Sequence, residues 1–167
     1  MTKNNQTIYI GVDNGLAGGL AIIQGRKILE LLTMPVMVGS NDRNEYDILS
    51  IIKILQKYQK NSTMIIEKAH AMPVIGVVQA FSFGKLYGIM LGLACALQIP
   101  YNIVHSKTWQ REMFRDISTD NTKQASAMIA KRLYPDQSFL ASERSKKIHS
   151  GLTDAILIAT YGQRKNL

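Results

Sequence analysis

Three acidic residues stand where apolar neighbours make a charge costly. Asp13 closes the run Ile8 to Val12 and is followed by Asn14-Gly15; Glu67 ends the run Met64-Ile65-Ile66; Asp154 precedes Ala155-Ile156-Leu157-Ile158-Ala159. Each has an ordinary structural role open to it. Asp13 would open an Asx-type turn through Asn14-Gly15, Glu67 would pair with Lys68 or another lysine, and Asp154 would complement the positive end of a helix dipole. One account covers all three. Neighbouring carboxylates repel unless a proton or a cation neutralises them, and hard divalent cations are held by a few carboxylates together with water and phosphate oxygens. The expectation is a Mg2+ site, with Mn2+ as a substitute and two ions in all. Two ions about 4 Å apart activate water and stabilise the leaving oxygen in phosphodiester hydrolysis.

The elements that must position these acids follow from periodicity. Ile8 to Val12, Leu20 to Ile23 and Ile28 to Leu32 read as three strands of a meander, with glycine or basic residues between them. From Glu45 to Lys60 the period becomes helical, since Ile48, Ile51, Ile52, Leu55 and Tyr58 share a face. Met64 to Ile66 has the continuous apolar character of a buried parallel strand. If it pairs with Ile8 to Val12, Asp13 and Glu67 emerge side by side. An apolar helix is expected from Val77 to Leu97, where Gly84, Gly88, Gly92 and Ala96 form a stripe of small residues at four-residue intervals. Close approach of another backbone explains such a stripe, with the sheet as the expected neighbour and a second subunit as the alternative. Tyr101 to Val104 reads as a strand, and Thr122 to Leu133 and Leu152 to Tyr161 as helices, giving the order βββαβαβαα. The polar stretch Ser138 to Ser150 is the one extended candidate for a mobile loop.

The 167 residues, 46% of them hydrophobic, suffice for one domain spanning 1–167. Lys+Arg exceed Asp+Glu by 20 to 12, a net charge of +8, which favours a polyanionic partner. With a phosphodiester-cleaving site, that partner is nucleic acid, and nuclease becomes the leading class. No segment reads as a membrane span or secretory signal, and membrane binding is not expected. Cys95, the single cysteine, reads as a buried small hydrophobe in a reducing, cytoplasmic compartment.

Three motifs in order resemble the RuvC-type Holliday junction resolvases of phages and bacteria, within the ribonuclease H-like superfamily. They are Ile10-Gly11-Val12-Asp13-Asn14-Gly15, Ile65-Ile66-Glu67-Lys68 with Ala71-Met72-Pro73, and His149-Ser150-Gly151-Leu152-Thr153-Asp154-Ala155. Phe81-Ser82-Phe83-Gly84 and the segment from Ile99-Pro100-Tyr101 to Lys107-Thr108-Trp109 are similar as well. The resemblance implies an α/β fold with a mixed five-stranded sheet flanked by helices. It further implies a homodimer, docked through the long central helix, that binds four-way junctions and nicks two strands of like polarity. Asp13, Glu67 and Asp154 become metal ligands, and Lys123 a catalytic phosphate contact. Phe81 or Phe83 would wedge against unpaired bases, although a core position is expected for at least one. Relatives carry a fourth ligand about one turn before the last aspartate, where this chain has His149-Ser150-Gly151. Ser150 is read as the helix cap, and His149 as a replacement ligand, a phosphate contact or a surface residue.

Lys85, Lys107, Arg111, Lys146 and Lys147 are candidates for DNA-backbone contacts. His70 follows Glu67 closely enough to line the cleft, and His105 ends a strand near Lys107, but a structural role is the expectation for both; Trp109 is read as a core or cleft-wall anchor. Rival readings are a nuclease for flaps, forks and branched DNA in general, and a weakly active or inactive junction-binding module. An actin-like ATPase would also start from a strand ending in aspartate and glycine, but would need a second such domain.

Overall fold

A computed structural model describes residues 7–40, 42–69, 76–115, 117, 119 and 121–167. Along the chain the elements are β1 (Ile8–Asp13), β2 (Gly19–Gln24), β3 (Lys27–Thr33), β4 (Val36–Val38), β5 (Asn44–Tyr46), α1 (Ile48–Lys57), β6 (Ser62–Glu67), α2 (Val77–Ala96), β7 (Tyr101–Val104), α3 (Ser106–Met113), α4 (Thr122–Leu133) and α5 (Ser150–Lys165). Apolar side chains on both faces of β1 drive it to the centre of a five-stranded mixed sheet, in the order β3-β2-β1-β6-β7. Strands β1 to β3 are antiparallel, whereas β1, β6 and β7 run parallel.

Alternation along the strands divides the core in two. Tyr9, Ala21, Ile23 and Ile65 face α5, with Trp109 of α3 and Ile129 of α4 in the same cluster. Ile10, Val12, Leu20, Ile22, Met64 and Ile66 face the opposite way, onto Ile51 and Leu55 of α1 and Leu86, Met90 and Ala94 of α2. Helix α5 is the most deeply inserted element, buried at nearly every position from Gly151 to Gly162. A Cβ on Gly11 would lie 2.2 Å from the Ala155 carbonyl oxygen and 2.5 Å from the Ala159 nitrogen. The backbone of α5 therefore rests on β1, and that contact brings Asp154 to the end of the strand bearing Asp13.

The structure departs from the periodicity reading at several places. Asn44–Tyr46 is a strand paired with Val36–Val38, so α1 starts at Ile48 rather than at Glu45. Asp47 caps it, its carboxylate accepting from the Ser50 N–H at 3.0 Å. Helix α3 was not anticipated, because its buried apolar residues number only two, Trp109 and Met113. The loop before α5 is tied down: Phe139 is buried, Leu140 bridges Ile148, and the Phe139 carbonyl accepts from the His149 N–H at 2.8 Å.

Helix α2 holds three corrections. Its small-residue stripe does not pack on the sheet, since a Cβ at Gly84, Gly88 or Gly92 would meet nothing within 4 Å. The buried positions Leu86, Met90 and Ala94 lie two residues further on, about 200° around the helix axis, and these make the sheet contact. Cys95 is exposed rather than buried, as it falls on the outward side. Finally, α2 does have the length and apolar composition of a membrane span, with a mean hydropathy of 1.4, although Lys85 interrupts it and its inner side packs into the core.

Candidate active site

The parallel register of β1 and β6 pairs Val12 with Ile66. The next residues along, Asp13 and Glu67, therefore leave the C-terminal sheet edge together. Their carboxyl groups share a hydrogen bond, and the Asp13 pKa is raised well above the usual carboxylate value, by burial first and then by the charges of Asp154 and Glu67. Trp109, a core anchor only 1% exposed, donates from Nε1 to Glu67 Oε1 at 3.4 Å. Asn14, 4% exposed, donates from Nδ2 to the Glu67 backbone carbonyl and so ties the two strand ends together.

Asp154 enters from α5. Burial pushes its pKa up to about 6, against the downward pull of the Ser126 hydroxyl and the Lys123 ammonium. Its Oδ1 is buried and has no hydrogen-bond partner among the described residues. Lys123, on the first turn of α4, is thereby placed near the acids, as expected from its position in the sequence. Two cavities flank Asp13. One, of about 650 Å³, is lined by Asp13, Asn14, Gly15, Phe83, Ser150 and Asp154 among others. The other, of about 430 Å³, reaches Glu67, Lys68, Phe83, Lys107 and Gln110. Gly15 adopts φ +145°, open to glycine alone, and the Phe83 ring lies 3.4 Å from where its Cβ would be.

Asp13, Glu67, Asp154, Lys107 and Phe83 line the two cavities at this edge, whereas Lys123 lines neither and acts on Asp154 through its charge. Phe83 is half-buried at the cavity wall, whereas Phe81 is 73% exposed on α2, so neither occupies the core. Lys85 is exposed on α2, Arg111 on the last turn of α3, and Lys146 and Lys147 on the loop before α5. His149, not Ser150, is the N-cap residue of α5, and it makes no side-chain capping bond. Its Nδ1 is buried and without a partner among the described residues, burial lowers its pKa, and it lines neither cavity beside Asp13. Ser150 instead lines the larger cavity. His70 and Ala71-Met72-Pro73 lie outside the described residues.

Among the described residues, no group of three or more His, Cys, Asp and Glu side chains is arranged to hold a metal ion. The Asp13 and Glu67 carboxyl groups are hydrogen-bonded to each other, and the Asp154 carboxyl group to Ser126. The donor set nonetheless fits a hard divalent cation. It consists of carboxylate and amide oxygens, two of which, Asp154 Oδ1 and Asn14 Oδ1, are buried and unpaired. Sequence reading missed Asn14, Ser126 and the Trp109 contact, because an Asn-Gly pair signals a turn and a serine inside a helix signals nothing.

No protein-family model and no curated protein matches this sequence. Solved structures do match. A structure described as T. thermophilus RuvC in complex with Holliday junction substrate superposes with a TM-score of 0.67 at 14% identity, over 96% of this chain and 94% of that one. A second, described as the Thermus thermophilus RuvC structure, gives 0.58 at 11% identity, over 96% and 97%. With the β3-β2-β1-β6-β7 order and helices on both faces, the chain has the ribonuclease H-like α/β fold of the RuvC structures.

Proposed function

We propose that this protein is a structure-specific DNA endonuclease that resolves four-way junctions by metal-dependent phosphodiester hydrolysis. The observation that carries the reading is the meeting of Asp13, Glu67 and Asp154, from three separate elements, at one sheet edge beside Lys123. Asp13, Glu67 and Asp154 would hold Mg2+, or Mn2+ in its place, as two ions, which would supply activation of a water and stabilisation of the leaving oxygen. Lys123 offers its ammonium to the phosphate, while Trp109 and Asn14 fix Glu67 from its side chain and its backbone. Lys107 extends the positive wall of the cleft, and Phe83 stands where an unstacked base would meet it. His149 is not assigned to the ion set. A relative in this fold is described in complex with a Holliday junction, which supports branched DNA as the substrate.

A homodimer accounts for the outward face of α2. Gly84, Gly88 and Gly92 leave it flat, and Val77, Val78 and Phe81 are 85%, 76% and 73% exposed at its N-terminal end. Two active sites related by a twofold axis suit the symmetry of a junction. Gly88→Arg retains the helix, since arginine is the better helix former, but sets like charges against each other across the twofold. The wild type is expected to sediment as a dimer and to prefer a four-way junction over linear duplex by at least roughly tenfold. The variant is expected to be monomeric, to keep its duplex affinity and to lose that preference. A variant that remains dimeric, or a wild type without the preference, would contradict the reading.

A further inference from the structure

We propose that Asn14 is itself a ligand of the cation site, holding the divalent ion through its side-chain oxygen; this rests on the metal-dependent reading given above. The carboxamide is fixed in orientation, because the Glu67 backbone carbonyl can only accept, and so Nδ2 must face it. Oδ1 then points the other way. It is buried, in a residue 4% exposed, and has no hydrogen-bond partner among the described residues. A buried amide oxygen bears the full loss of its hydration unless something donates to it or coordinates it.

The surroundings limit what that something is. Asn14 lines both cavities that flank Asp13, the one carrying Asp154 and the one carrying Glu67. An Asx turn would have satisfied Oδ1 with a backbone N–H two residues on, and no such bond forms. Donors along the same walls, among them Ser150, Lys107 and Gln110, do not reach it either. The Asp13 and Glu67 carboxyl groups do not donate to it either. A divalent cation satisfies the oxygen, and a neutral amide suits a site already holding three acids, because it adds a ligand without adding repulsion.

The test is calorimetric titration of metal-depleted full-length protein with Mn2+, comparing wild type, Asn14→Ala, Asn14→Asp and Asp13→Asn, with each variant's melting followed in EDTA. Asn14→Ala is expected to weaken Mn2+ binding about tenfold. Asn14→Asp, which keeps an oxygen but loses the N–H, is expected to bind at least as tightly as wild type. Asn14→Ala binding within about twofold of wild type would overturn the proposal and leave Asn14 as a strand clamp only. Asn14→Asp binding as weakly as Asn14→Ala would overturn it too, and this arm decides if Asn14→Ala does not melt cooperatively. Should wild type bind Mn2+ no better than Asp13→Asn, the metal reading itself fails, and the role of Asn14 fails with it.

Discussion

Replacing Asp13 by asparagine is expected to lower the single-turnover rate of junction cleavage by about 10³-fold or more, in Mg2+ and in Mn2+ alike. The substitution is nearly isosteric, and it removes a carboxylate that interacts with both Asp154 and Glu67. Metal assistance to phosphoryl chemistry is worth several kcal/mol, and about 4 kcal/mol of lost transition-state stabilisation corresponds to roughly a thousandfold in rate. Binding should survive, because an asparagine leaves less negative charge facing the phosphates. A gel-shift series with the same junction is expected to show affinity equal to wild type or better. Cleavage at wild-type rate by the variant would place the reaction elsewhere.

Asp154→Asn is expected to pull stability and activity in opposite directions. Burial raises the Asp154 pKa from the ordinary aspartate value of 3.8 to about 6 in the folded protein. The native state therefore binds the proton more tightly than the unfolded chain does. Its stabilising contribution is whole below about pH 3.8, falls as the pH rises towards 6, and is gone above that. At one pKa unit per 1.36 kcal/mol, ionised Asp154 costs up to about 3 kcal/mol at pH 7. In metal-free buffer at pH 7 the asparagine variant should be more stable by that order, about 8 °C in Tm for a domain of this length. The pH dependence contributed by Asp154 should vanish with it, and junction cleavage should be lost. A variant that melts at or below the wild-type temperature at pH 7 would show that the carboxylate is already compensated within the protein.

Which parts of this arrangement could be read in the sequence depends on how far each residue's role is local. Met64-Ile65-Ile66, apolar on both faces, was legible as a buried parallel strand, and the condition that it pair with β1, which sets Glu67 beside Asp13, is met in the structure. Asp154 was legible for a similar reason, since the residues after it leave no solvent-facing side for a helix. The β4–β5 hairpin was not, because three-residue strands carry too short an alternation to stand out from a loop. Helix α3 stayed hidden among its polar residues. Four-residue spacing showed that Gly84, Gly88 and Gly92 share one face of α2, but periodicity cannot say which face meets the sheet. The answer lay with Leu86, Met90 and Ala94 on the other side. Asn14 and Ser126 act through partners 53 and 28 residues away, Glu67 and Asp154, and no local pattern encodes such contacts.

We propose that two symmetry-related active sites cut a four-way junction. Mapping nicks on each of the four strands at nucleotide resolution tests it most directly, with flap, fork and linear duplex substrates of matching sequence alongside, in Mg2+ and separately in Mn2+. Paired nicks are expected at symmetry-related positions in two strands of like polarity, in the junction and not in linear duplex, all absent from Asp13→Asn. Unpaired nicks, or flaps and forks cut as fast as the junction, would replace the resolvase with a general branched-DNA nuclease. A junction bound but left uncut in both ions would mean that the protein is not a nuclease for this substrate.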